Sequence, residues 1–442
     1  MFKNLLLFIV FISILKTFAQ ENDSTVITGN YTVKIDTIVI MGNNITEGFV
    51  ILRELTFKQG DTLTYKQAFY NKERVYSLDI FNQVKIFPVS YKNKIIAVID
   101  VVESWYIWPI PFAELKNGDW NKISYGIDLA VKNFRGMNET VRIKAGLGYD
   151  PSLTLDYIIP ILNYNQNIYF DAQLSYNSVE NKSIIAEQKY GAVFDQKMIN
   201  AQITFGKRIS LFHNISVTAG YNYIETPMYV SGINASDQRI DRLLFLGAGY
   251  AYDTRDLAQF PRNGIYSSIN FLMKGLGLND INYQVYTFDF REYRPLFWDI
   301  IGKWRFTSRL TSGKAIPYYD YSVLGYQERI RGYLHDVLEG NDYYLTSLEF
   351  FHPLVKDIDI NLDFIPIVPK QFLSYRIALY TEIFADAGAV KQRDRSLGIR
   401  DFDSGYGFGF TFLILPYNIL RIELAFNDKF NSEIVLDLGI SF

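Results

Sequence analysis

Ile330-Arg331-Gly332-Tyr333 is the stretch from which the rest of the chain can be read. It sets an arginine and a glycine in a long connection, 313–341, between two strand-like segments. A loop arginine is ordinarily solvated, but these neighbours point elsewhere. Gly332 allows a backbone turn closed to other residues, and Tyr333 offers an apolar body to pack. Two strand-like segments that follow each carry a carboxylate placed to meet the guanidinium, Glu349 and Asp386.

Outward from this stretch, apolar and polar residues alternate with the two-residue period of a strand. Ile168, Phe170, Ala172, Leu174 and Tyr176 share one face, and Asp171, Gln173 and Ser175 the other. Ile215, Val217, Ala219, Tyr221 and Tyr223 oppose Asn214, Ser216, Thr218 and Asn222; Leu420, Ile422, Leu424 and Phe426 oppose Arg421 and Glu423. Alternation by itself also fits a soluble sandwich. Its persistence over 104–442 without helical periods, and an aromatic share of 16%, favour a membrane barrel with aromatic girdles. The pattern predicts strands at 106–115, 121–134, 138–149, 152–161, 166–178, 197–208, 211–224, 241–252, 264–274, 281–294, 299–312, 342–355, 373–386, 404–416, 418–428 and 433–442. That count is about sixteen, an even number as antiparallel outer-membrane barrels require. The 313–341 connection then joins strands eleven and twelve.

Lys3, the apolar run Leu5 to Leu15 and Thr17-Phe18-Ala19 predict a secretory signal peptide over 1–19. The run is too short to span a membrane, which needs ~20 apolar residues. An exported chain with no helical span crosses a membrane only as a closed β-barrel. From 31 to 103 the texture changes to βααββ. A strand is expected through Val33, Ile35, Ile38 and Ile40; Thr46 is placed to cap a helix through Val50 to Leu55; Thr64 opens a second helix. Strands at 84–89 and 95–102 complete a small α+β unit.

Chemistry is sparse. With 0 Cys, disulfides and thiolate sites are excluded. His213, His335 and His352 lie on separate segments without metal-ligand spacing. Asp401 and Asp403 beside Gly405 read as a solvated loop. No nucleophile elbow or phosphate loop occurs, and a net charge of -3 gives no reason to expect nucleic acid. The reading is therefore not an enzyme, with no cofactor and no metal.

Ile330-Arg331-Gly332-Tyr333, with Glu349 and the Phe384-Ala385-Asp386-Ala387-Gly388 run, closely resembles the lid-loop signature of the BamA/TamA superfamily of outer-membrane assembly barrels. Gly42-Asn43, Arg53-Glu54-Leu55, Gly60-Asp61 and Leu78-Asp79-Ile80-Phe81 with Val84 resemble a POTRA domain. A single one fits in 31–103, whereas the general assembly factor of that family carries several. The resemblance implies a mainly β fold, a sixteen-stranded barrel over 104–442 behind one periplasmic POTRA domain. It implies that Arg331, carried into the lumen on a folded lid, pairs with Glu349 and Asp386. Asp253, Arg255, Asp256, Pro261 and Gly264 match the family's periplasmic turn and read as structural. Pro109 and Pro111 in the first strand each lack a ladder donor. They either weaken a seam with the last strand, which ends in Phe442, or mark the entry from the small domain.

The implied partners are unfolded outer-membrane or secreted polypeptides, outer-membrane lipid and possible accessory lipoproteins. The implied work is insertion of outer-membrane proteins. The alternatives are a polypeptide translocator of the two-partner secretion type and a passive porin.

Overall fold

Strands form where the two-residue alternation predicts them, because each then turns one apolar row outward and one polar row inward. The fold is described from a computed structural model, which covers residues 24–115, 122–333, 336–362, 364–365, 368–393 and 395–439. Residues 1–23 and 440–442 lie outside it, and with them the expected signal peptide and Phe442.

The N-terminal unit contains β1 (Ser24–Val26), β2 (Thr32–Lys34), β3 (Thr37–Met41), α1 (Gly48–Leu52), β4 (Thr62–Thr64), α2 (Tyr65–Tyr76), β5 (Phe81–Tyr91) and β6 (Lys94–Glu103). Its sheet runs β1-β5-β6-β3, with β3 parallel to β6. The strand expected through Val33 to Ile40 is two strands, because β2 leaves the sheet to pair with β4. Thr64 caps α2 in a reciprocal capping box with Gln67, as the sequence predicts. Thr46 does not cap α1. Its amide and hydroxyl are bound by Glu103 at 2.6 and 2.7 Å, and the helix starts after Glu47 without a side-chain cap.

The remaining chain is one sixteen-stranded antiparallel sheet. Its first half is β7 (Ile107–Leu115), β8 (Ile123–Phe134), β9 (Glu139–Gly148), β10 (Ser152–Asn163), β11 (Ile168–Glu180), β12 (Asp195–Arg208), β13 (His213–Glu225) and β14 (Ile240–Asp253). A short helix, α3 (Ile184–Tyr190), sits between β11 and β12 where only a gap was expected. The sheet continues with β15 (Gly264–Lys274), β16 (Tyr283–Pro295) and β17 (Ile301–Gly313). After a connection holding a small ribbon of β18 (Ser322–Leu324) and β19 (Leu338–Gly340) come β20 (Asp342–Asn361), β21 (Ser374–Lys391), β22 (Asp403–Leu415), β23 (Asn418–Asn427) and β24 (Ser432–Leu438). Each strand pairs with its neighbour in the order β7 to β24, β18 and β19 apart. Outward rows such as Val217, Phe205, Leu147 and Leu174 are exposed, the surface a lipid band covers.

The two ends of this sheet come together. Trp108 on β7 packs on Tyr417, in the turn between β22 and β23, with ring centroids 5.2 Å apart, and Trp105 lies 5.2 Å from Phe372. Yet among the described residues β7 pairs only with β8 and β24 only with β23. Aromatic contacts tie the start of β7 to the turns before β21 and before β23.

The small unit closes the end of the barrel bearing the β8–β9, β12–β13, β14–β15 and β22–β23 turns. Ile51, Val75 and Tyr76 share one apolar core with Leu257, Phe260, Tyr380 and Leu415 of the barrel. Arg376 Nη1 donates to Glu73 Oε2 at 2.6 Å with both side chains 1% exposed, and its guanidinium stacks on Tyr76. Arg208 holds Glu54 bidentately at 2.6 and 2.9 Å, and Arg74 adds a bond of 2.9 Å. The expected structural turn belongs to this joint: Asp256 accepts from the amides of Leu257, Arg262 and Asn263, Asp253 pairs with Arg255, and Tyr70 donates to Thr254 O at 3.0 Å. Gly264 has φ +117, and a Cβ there would lie 2.4 Å from Thr254 O.

Removing one partner of a buried pair strands the other charge, at about 3–5 kcal/mol. Glu73→Ala is therefore expected to undock the small unit, seen as faster hydrogen exchange in α2 while the barrel's migration in gels stays heat-modifiable. Acid acts on the second contact. Burial alone raises the Glu54 carboxyl, but Arg208, Arg74 and Arg53 override it and hold its pKa below the ordinary value. A native pKa so depressed contributes fully above the unfolded value of about 4.3 and is lost as pH falls through the native one. Exchange in α1 is expected to stay slow at pH 5 and quicken below about pH 4; Glu54→Gln removes that step.

Candidate functional site

The connection between β17 and β20 folds back into the barrel, and all four residues of Ile330-Arg331-Gly332-Tyr333 are buried. Arg331 donates from Nε to Asp386 Oδ2 and from Nη2 to Oδ1, each at 2.7 Å, the planar fork that only guanidinium offers. Its amide also reaches Asp386, at 3.1 Å. Nη2 lies 2.9 Å from Glu349 Oε1. Both carboxylates singled out in the sequence thus meet the arginine, one from β20 and one from β21.

Three further groups complete the setting. Arg331 Nη1 donates to Glu423 Oε1 at 2.8 Å, Nη2 to Ser347 Oγ at 3.0 Å, and the guanidinium lies 3.6 Å from the centre of the Phe384 ring. Lys303 Nζ donates to Glu349 Oε2 at 2.9 Å, and Arg421 lies 3.4 Å from Glu423. Glu423 and Arg421 occupy inward positions of the alternation along β23, so the sequence places them in the lumen without naming their partner.

Glycines make room for the loop. Gly332 has φ +96, and a Cβ there would stand 2.8 Å from the Phe426 carbonyl carbon. A Cβ on Gly405 would stand 1.7 Å from Arg331 O. Of the alternating Gly405, Gly407 and Gly409, Gly405 is therefore the one that seats the lid backbone. Gly407 and Gly409 instead abut the neighbouring strand at Leu424 O and Ile422 O. Tyr406, Phe408 and Phe410, which alternate with these glycines, face outward.

The lid has a second anchor that sequence reasoning missed. Tyr319 donates to Asp241 at 3.0 Å, and Asp320 binds Lys274 at 2.7 Å, Arg309 at 3.0 Å and the Tyr283 hydroxyl. The row Tyr318-Tyr319-Asp320 has no strand period and no glycine to mark it. Farther along the lid, Tyr333 donates to Asp428, and Asn427 donates to Gly332 O at 3.2 Å.

At the seam, Pro109 and Pro111 lie on β7, the terminal strand of the sheet, opposite Leu129 and Ile127 of β8. Ile434, Leu436 and Leu438 of β24 face outward at 69%, 69% and 76% exposure, with Asp437 between them turned inward toward the lid. Among the described residues no group of His, Cys, Asp and Glu is arranged to hold a metal ion.

Residues 133–442, which include the lid and the strands that hold it, match the model of the Omp85 superfamily domain. The chain belongs to the Omp85 superfamily. This Omp85 barrel lies in the bacterial outer membrane. In fold it is similar to BamA from Haemophilus ducreyi lacking POTRA domains 1–3, at 16% identity and a TM-score of 0.53, over 94% of this chain and 88% of that one. It is also similar to CdiB from Escherichia coli, at 10% identity and a TM-score of 0.52, over 92% of this chain and 75% of that one. Membership of the Omp85 superfamily carries a role in insertion or translocation of polypeptides at the outer membrane.

Arg331→Ala and Asp386→Ala are each expected to release the lid, at about 3–5 kcal/mol of local stability. Hydrogen exchange over 330–333 measures it. Arg331→Lys keeps the charge but loses the fork and should fall between. Protection at the wild-type level in both alanine variants would mean that the lid is held by its second anchor alone.

Proposed function

We propose that this protein inserts or assembles outer-membrane proteins, with the seam between β7 and β24 as the place where a client strand is templated and released. The observation that carries this reading is that, among the described residues, β7 pairs only with β8 and β24 only with β23. Inside a membrane an unpaired strand edge is costly, and an incoming chain satisfies it by pairing. The prolines at 109 and 111 fit a strand with a weakened outer edge.

The small N-terminal unit is read as a single POTRA domain in the periplasm that recruits clients before they reach the seam. Extended segments join a sheet by strand addition at an open edge. Among the described residues the sheet ends on β1, which pairs only with Val89 to Tyr91 of β5, and on β3, which pairs only with β6; β3 is the edge we assign to a client. Clients are unfolded outer-membrane polypeptides; lipid covers the outward apolar rows, and accessory lipoproteins are possible further partners. No catalytic step is required of any residue.

Passage through the lumen, as in a two-partner secretion translocator or a porin, is disfavoured by two obstructions. The lid occupies the interior through Arg331, and the small unit closes the opposite mouth through Glu73, Glu54 and the shared apolar core.

The chain has no native cysteine, so a disulfide engineered between β7 and β24 is unambiguous. The locked protein, reconstituted in liposomes with an unfolded barrel substrate, is expected to lose insertion and to regain it on reduction. Normal insertion by the locked form would rule out the seam. In planar bilayers the wild type is expected to conduct little; a large, steady conductance would favour the porin reading.

A further inference from the structure

Arg329 stands two positions before Arg331 on the lid, and its guanidinium reaches the last strand. Nη2 donates to Asp437 Oδ2 at 2.7 Å. The Arg331 cluster already ties the lid to β20, β21 and β23 through Glu349, Asp386 and Glu423. Arg329 extends that attachment to β24.

β24 is the strand on which such a tie weighs most. Among the described residues it spans Ser432–Leu438, and its ladder runs on one side only, to β23. Every other strand from β20 to β23 is held on both sides. A single side-chain bond is therefore a larger share of what positions β24 than of what positions any neighbour.

The two arginines also differ in how exchangeable they are. Arg331 is held by three carboxylates, with its side chain 6% exposed. Arg329 and Asp437 are 25% and 28% exposed and flank a cavity of about 550 Å³ between the lid and the wall, lined also by Arg305, Glu328, Arg421 and Glu423. Water can replace either partner there, so the pair can break without stranding a buried charge. A permanent anchor and a releasable one thus sit side by side on the same loop.

We propose that Arg329 and Asp437 form a latch through which the lid holds the last strand against opening at the seam, making Arg329 a positioning residue for that motion. The proposal rests on the reading that the seam is the client's route. It adds that the lid governs how often the route is open. An incoming strand with a charged inward side chain at this depth takes over one partner of the pair and keeps the other satisfied.

The test uses spin labels on cysteines at Ile107 and Leu436, outward positions 49% and 69% exposed, in the otherwise cysteine-free full-length protein in nanodiscs. Arg329→Gln and Asp437→Asn are each expected to raise the long-distance population roughly fivefold, the scale of a part-exposed ion pair. The exchanged pair Arg329→Asp with Asp437→Arg is expected to return it toward wild type, which a merely misfolded variant would not do. Unchanged distances in both single variants would overturn the latch. If the distances move while insertion of an unfolded barrel substrate does not, the latch stands and the seam is not the route.

Discussion

A guanidinium held inside a barrel at membrane depth is the constraint on which the rest depends. Its charge cannot stay there without partners, because isolated burial is prohibitive. Asp386, Glu349 and Glu423 supply them from three different strands, so a single side chain fixes where the lid, β20, β21 and β23 stand relative to one another. Such a cluster is not an efficient source of stability, since apolar packing would serve as well. What it supplies is one defined position for the loop, beside the apolar contacts of Ile330 and Tyr333 with Tyr343 and Leu345. The glycines at 332 and 405 follow from it, because the loop backbone passes where a Cβ would collide.

From that fixed point the molecule divides into well-held and lightly held parts. The lid is pinned at Arg331 and again at Asp320. The opposite mouth is shut by the N-terminal unit, whose core runs continuously into the barrel wall. Between β7 and β24 no ladder occurs among the described residues; Trp108 of β7 packs instead on Tyr417, in the turn between β22 and β23.

The barrel was almost entirely legible in the sequence, since period-two alternation is strong when one side meets lipid and the other a polar lumen. Sixteen strands stand where expected, most within three residues at either end, although β20 and β21 run on to Asn361 and Lys391. The Arg331 partners on β20 and β21 were legible too, but Glu423 and Ser347 were not, because inward polar positions are common and nothing local names the one that faces a loop. In the small unit, Thr64 sat in a local motif and kept its role, whereas Thr46 was taken by Glu103, a contact no window around residue 46 contains. The docking of the two domains was hidden for the same reason: Glu73 and Arg376 are 303 positions apart.

That separation bears on how the protein makes itself. Asn82 meets Tyr417 across 335 positions, and Trp108 packs against the same tyrosine. Loop-closure entropy makes such distant encounters late and slow. The base of the cylinder therefore stays unsealed until the penultimate hairpin exists, and the first-made portion waits, with apolar surface bare, for nearly the last. A protein of this plan has most need of a chaperoning partner during its own biogenesis, at the very rim it later keeps shut.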